Sequence, residues 1–102
     1  DRHPTTKKDA PSATALALAA IIEAETGEEP LDISSERRGE PVNDHLVKIQ
    51  LEGEQLLLRH RVAGIHAMAR GAVMVAGWIA KSPPGLVEIT DVYDELLIRG
   101  MA

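Results

Sequence analysis

Residues 45–62 constrain the fold more than any other part of the chain. From His45 to Leu51, Val47, Ile49 and Leu51 alternate with Leu46, Lys48 and Gln50. That two-residue period is the mark of a strand whose faces differ. Glu52-Gly53-Glu54 interrupts the run as a tight turn, and the chain then returns from Gln55 to Val62 with Leu56, Leu58, His60 and Val62 on one face. Two such runs around a glycine-centred break predict an antiparallel hairpin over 45–62.

The other segments read as helices, loops and short strands. A helix starts between Asp9 and Ser12 and stops near Gly27, a C-cap by residue type. Ala13, Leu16, Ala17, Ala20, Ile21 and Ala24 recur on it at helical spacing and form an apolar stripe. Ala15, Leu18, Ala19 and Ile22 widen that stripe, which predicts cover on more than one side. Residues 1–8 read as loop, Leu31–Arg38 as a short strand, and Gly39–Asp44 as a loop. A second, strongly apolar helix is predicted over His66–Lys81, ended by Ser82-Pro83-Pro84-Gly85. Leu86–Ile89 reads as a short strand and Asp91–Leu97 as a terminal helix capped by Thr90 or Asp91. The expected fold is α+β, a small mixed sheet with packed helices. The hairpin joins the 31–38 strand, and the first helix packs across the sheet. Residues 1–102 are one domain by length.

Composition narrows the partners. The net charge of −5 and the shortage of aromatics argue against a nucleic-acid partner, which asks for a basic patch and stacking residues. Cysteine is absent, so disulfides and thiolate metal sites do not arise. The four histidines lack metal-ligand spacing, and no metal is expected. No stretch reads as a signal peptide or a membrane span, and the Ala13–Ala20 run is too short for one. A cytoplasmic setting is compatible with the cysteine count.

The candidate chemistry sits ahead of the first helix. In Lys7-Lys8-Asp9-Ala10-Pro11-Ser12-Ala13-Thr14-Ala15, charged residues lead through a proline into Ser, Thr and small residues. A helix N-terminus offers unpaired N–H groups and the positive end of the helix dipole to an anion. The Ser12 and Thr14 hydroxyls and the Lys7 charge add to it. The same residues also read as an ordinary capped helix, with Asp9 or Ser12 as N-cap and Pro11 in the first turn. His3 lies four residues before Lys7, where a histidine suits acid–base work near neutral pH; equally, both read as exposed terminal residues. Arg59 and Arg61 fall on the strand face opposite His60, as a solvated pair or as an interface pair. Arg37-Arg38 reads as a solvated edge pair or an anion binder.

The segment Asp1-Arg2-His3-Pro4-Thr5-Thr6-Lys7-Lys8-Asp9-Ala10-Pro11-Ser12-Ala13-Thr14-Ala15 resembles the signature of the dihydrodipicolinate reductase family. That signature is an acidic residue, one residue, His-His, two residues, Lys, one residue, then Asp-Ala-Pro-Ser-Gly-Thr-Ala. The resemblance continues in order through Ser35, Arg37, Gly39, Val42 and His45. It runs on through Glu54, Leu56, Leu58 and His60, then Gly71, Ala72, Val73, Ala76 and Trp78, and ends with Gly85-Leu86 and Asp91-Val92. Pro4 replaces the second histidine, Ala13 the glycine, Ile65 an arginine before the second helix, and Asn43 a common glycine.

The resemblance implies an enzyme of lysine (diaminopimelate) biosynthesis, an oxidoreductase that takes hydride from NADPH or NADH. It implies His3 and Lys7 as the proton-handling pair, and Lys7, Ser12, Ala13 and Thr14 as ligands of a small dicarboxylate substrate. It implies a homotetramer built through the sheet, with no nucleic-acid or membrane partner. In the family a Rossmann domain precedes this region. This sequence shows no glycine-rich dinucleotide fingerprint, so it reads as a piece on which no cofactor is expected. A second reading stays open, in which the chain is a non-catalytic oligomerisation or dicarboxylate-binding module whose site has decayed at Pro4, Ala13 and Ile65.

Overall fold

The computed structural model describes residues 1–40 and 43–101, the last three of these by backbone alone. Pro41, in the predicted loop, and Val42, one of the motif positions, lie outside the described residues. The chain divides into two compact units, Asp1–Gly64 and Ile65–Ala102.

The first unit is built on the predicted hairpin. Strand β3 spans Asn43–Leu51 and β4 spans Glu54–Val62. Their register runs from Asn43↔Val62 to Leu51↔Glu54, leaving Glu52-Gly53 as a two-residue loop. Gly53 has φ +74°, a left-handed value that a side chain would resist. The register places His45 opposite His60, Val47 opposite Leu58 and Ile49 opposite Leu56, all on one face.

Two further strands complete the sheet, and neither follows the sequence reading closely. Arg2–His3, predicted as loop, is β1 and sits inside the sheet. Of the predicted strand 31–38, only Glu36–Arg37 forms, as β2. The strand order is β2-β1-β3-β4, with β1 parallel to β2 and antiparallel to β3. Two-residue strands are too short to show a period, so only long-range pairing reveals them.

Helix α1 spans Ala13–Thr26 between the predicted limits. Ser12 is its N-cap, and the Ser12 hydroxyl accepts the Ala15 N–H at 3.1 Å. Pro11 therefore precedes the cap rather than entering the first turn. Gly27 ends the helix with φ 73°, its N–H donating to the Glu23 carbonyl. The predicted apolar stripe is turned outward. Ala13, Leu16, Ala17, Ala20, Ile21 and Ala24 are exposed, whereas Ala15 and Ala19 are buried and Leu18 and Ile22 half-buried. An alanine-rich helix that is apolar all round has no preferred face by periodicity. Here the buried cap decides: residues 15, 19 and 22 follow Ser12 at helical spacing, so the side that docks Ser12 is the side that is covered.

The second unit holds α2 (His66–Ile79) and α3 (Ile89–Met101). After α2, the Ser82 N–H bonds the Ile79 carbonyl and the Ser82 hydroxyl bonds the Trp78 carbonyl. Leu86–Ile89 is not a strand; Leu86 is 96% exposed and Ile89 already belongs to α3. That helix thus begins before the predicted Asp91. Val92 is buried, and the Trp78 indole N–H donates to Glu95 at 2.7 Å. No residue of α2 is buried.

Candidate functional site

The site begins with the alternation of β1. Asp1 and His3 fall on one side of the strand, and His3 pairs with Arg37 across β2. Position 45 lies on the same face, and the His3 and His45 rings meet edge to face, 5.1 Å between centroids at 71°. His3 is 4% exposed and Ser12 2%. The Asp1 side chain has no exposed surface.

Asp1 is the hub. Its carboxylate accepts the Ser12 backbone N–H at 3.0 Å, the Ser35 hydroxyl at 3.2 Å and an Arg37 guanidinium N–H, and it lies 3.3 Å from His3 Nδ1. Arg37 also donates to the Asp9 carbonyl at 2.6 Å, which ties the loop before α1 to the sheet. The Ser12 hydroxyl, already holding the Ala15 N–H, lies 3.1 Å from His45 Nε2. A buried carboxylate with this many donors orients every group that touches it.

The predicted ligands divide into inner and outer groups. Ser12 and His3 are inside. Ala13 and Thr14 are exposed, and their backbone N–H groups have no carbonyl partner among the described residues. Lys7 is half-buried, with its N–H on the Pro4 carbonyl and its ammonium 3.0 Å from an Asp9 carboxylate oxygen. That hydrogen bond from Lys7 lowers the Asp9 pKa. A groove of about 710 Å³ opens among α1, residues 31–34 and β3, but Lys7, Ser12, Ala13 and Thr14 do not line it. The anion-attracting end of α1 therefore lies outside this groove. Among the described residues no cluster of histidines and carboxylates suits a metal ion, and no helix is long and apolar enough to cross a membrane.

Burial lowers the pKa of both inner histidines and so favours their neutral forms. The His3 pKa is lowered first by burial and then by Arg37 and Lys7; that of His45 is lowered by burial and by His3 and His60. Asp44, on the opposite sheet face, is lowered by the fork of hydrogen bonds it accepts from Arg59. These shifts fix a pH dependence. The unfolded chain takes up protons at both histidines near pH 6.5 while the folded chain does not, so stability falls as pH drops below about 6.5. The Asp44 contribution is present above the ordinary carboxylate value and is lost as pH falls through its lowered pKa. Thermal midpoints measured from pH 8 to pH 2 are expected to decline in two stages, the histidine stage below about pH 6.5 and the Asp44 stage below about pH 4; a midpoint unchanged between pH 7 and pH 5 would contradict the first stage.

Comparison with known proteins matches residues 1–93 to the family model described as dihydrodipicolinate reductase, C-terminus. The chain belongs to this family. It is 37% identical to the 4-hydroxy-tetrahydrodipicolinate reductase of Methanopyrus kandleri over 88% of this chain and 38% of that protein. It is 37% identical to the enzyme of that name from Methanococcus maripaludis over 92% of this chain and 41% of that protein. With the one from Aquifex aeolicus the identity is 35%, over 88% and 40%. The chain thus spans about two fifths of the length of the curated relatives it matches. No solved structure matches it.

For this member of the dihydrodipicolinate reductase C-terminal family, the geometry assigns work to motif residues for which spacing gave none. Ser35 and Arg37, two apart, both reach Asp1. The two adjacent arginines separate: Arg37 turns inward, and Arg38 pairs in the open with Glu36. On the other sheet face, Arg59 is forked onto the buried Asp44. The readable signals were the two-residue spacing of Ser35 and Arg37 and the register that sets 45 opposite 60. The partner they share, Asp1, was readable only as the acidic residue that opens the signature, and it lies too far off in sequence to be paired with them.

Proposed function

We propose that this chain is the substrate-binding and subunit-assembly portion of a 4-hydroxy-tetrahydrodipicolinate reductase, a cytoplasmic enzyme of lysine biosynthesis. In the intact protein a preceding Rossmann domain would hold NADPH or NADH, which supplies the hydride. The observation that carries the reading is the open start of α1: two unpaired N–H groups, at Ala13 and Thr14, follow a half-buried lysine in a chain that matches the family along this whole segment. Lys7, Thr14 and those N–H groups bind a substrate carboxylate. Ser12 belongs to the binding set by placing them, since its own hydroxyl and N–H are already engaged. His3 and Lys7 form the proton-handling pair. Nδ1 of His3 is turned to Asp1, which leaves Nε2 for that work.

Pro4 favours a second reading. It puts a ring without a side-chain donor where the family signature has histidine, and its carbonyl instead receives the Lys7 N–H. On that reading the chain binds dicarboxylate without catalysis, or only assembles.

Binding by the chain itself is the test. Pyridine-2,6-dicarboxylate is expected to shift the amides of Ala13 and Thr14 with an affinity no tighter than about millimolar, roughly 4 kcal/mol. Lys7→Ala should abolish the shifts, and Lys8→Ala should leave them, because Lys8 is exposed and lies outside the motif. Shifts confined to other regions, or equal losses from both variants, would refute the assignment. Turnover separates the two readings only in a protein that also holds cofactor. The 102-residue chain with added nicotinamide cofactor is expected to show no reductase activity, and a rate above a protein-free control would overturn the need for a separate cofactor-binding domain.

A further inference from the structure

We propose that His45 is a positioning residue of this site, setting the start of α1 through Ser12 and the His3 ring through edge contact. The inference rests on the proposed function, which gives the Ala13 and Thr14 N–H groups and His3 their roles, and it adds a residue to which that reading gives no part. Ser12 stands where the two halves of the site meet. Its N–H is held by Asp1 and its hydroxyl accepts the Ala15 N–H; His45 Nε2 lies 3.1 Å from the same hydroxyl, whose proton the proposal directs at that nitrogen. An acceptor there fixes the hydroxyl, and the fixed hydroxyl fixes the first turn of the helix.

The same imidazole abuts His3 edge to face at 5.1 Å, while Asp1 holds the other side of that ring at Nδ1. One side chain thus sets both the anion-attracting N–H groups and the proton-handling ring. The titratable groups around His45 are His3 from β1, the amino group of Asp1, His60 from β4 and Asp44 beside it on β3. The proposed role assigns His45 a neutral ring with its proton on Nδ1, which leaves Nε2 to accept from the Ser12 hydroxyl. Burial supports that form.

The experiment uses the full chain labelled with ¹⁵N, and compares wild type, His45→Gln, His45→Ala and His60→Ala. The expected wild-type spectrum has an unprotonated His45 Nε2 at neutral pH. His45→Ala should move the Ser12 and Ala15 amides and weaken pyridine-2,6-dicarboxylate binding at least fivefold. His45→Gln, whose side-chain oxygen accepts near the Nε2 position, should restore both to within about twofold. His60→Ala, which keeps the Ser12 contact, should behave as wild type. A merely packed histidine would not separate Gln from Ala in this way. A protonated Nε2, wild-type behaviour of His45→Ala, or equal defects in Gln and Ala would each overturn the proposal. Absence of dicarboxylate binding by the wild-type chain would instead overturn the proposed ligand site, with the tautomer and the Ser12 and Ala15 amides still deciding the role of His45.

Discussion

Asp1→Ala is expected to destabilise the first unit by about 3–5 kcal/mol, the usual cost of removing one partner of a buried ion pair. The Asp1 side chain is wholly buried, and Arg37 is only 16% exposed. The substitution leaves that cation without its carboxylate. It also strips the acceptor from the Ser12 N–H and the Ser35 hydroxyl and the partner from His3. Each unmade hydrogen bond adds its own desolvation cost. Domains of ordinary stability have about 5–15 kcal/mol in total. With only Ala15 and Ala19 as buried apolar residues among the described residues of the first unit, little remains to absorb the loss. Urea denaturation followed by circular dichroism should show the midpoint collapse, with α1 fraying first. Glu36→Ala, which breaks an exposed pair with Arg38, should leave the midpoint near that of wild type. Similar midpoints for Asp1→Ala and wild type would show that the network orients the site without holding the fold.

Leu56→Lys together with Leu58→Lys is expected to convert a self-associated chain, for which the family resemblance implies a tetramer, into monomers. The far half of the hairpin is apolar and exposed: Ile49, Leu51, Leu56 and Leu58 on one face, Leu46 and Leu57 on the other. A contiguous apolar strip of this kind is rare on a surface that stays in water. Each leucine buried between copies contributes about 1.5–3 kcal/mol. Losing two per copy therefore weakens association by well over a hundredfold. Sedimentation of the two proteins at the same concentration reads the change. A wild-type chain that runs as a clean monomer at high concentration would remove the assembly role.

The balance between sequence and tertiary structure differs from element to element. The hairpin was legible because its period of two and its glycine turn are local properties, and the register followed from them within two residues of the expected ends. The ends of α1 were legible for the same reason: Ser12 and Gly27 are capping residues by side-chain chemistry alone. The rotation of α1 was not. Its apolar residues surround the helix, so the sequence holds no preference that packing must obey, and the predicted stripe came out facing water. Strands β1 and β2, two residues each, exist only because the chain brings Arg2 beside Glu36 and Asp44.

The site divides in the same way. The motif at Lys7, Ser12, Ala13 and Thr14, with His3 ahead of it, identified the family segment from sequence, and the family model matches across it. By itself, then, the amino-acid order determined the family, the α+β class, the hairpin and the capped helix. These depend on side-chain type and on neighbours within a few residues. Tertiary structure alone decided which motif residues face inward, and that Asp1 gathers Ser12, Ser35, Arg37 and His3. It alone joined His45 to Ser12 across 33 positions of sequence. The physical reason is that a buried carboxylate and a capping hydroxyl take their partners from whatever the fold brings within hydrogen-bond reach, and that proximity leaves no local trace in the order of residues.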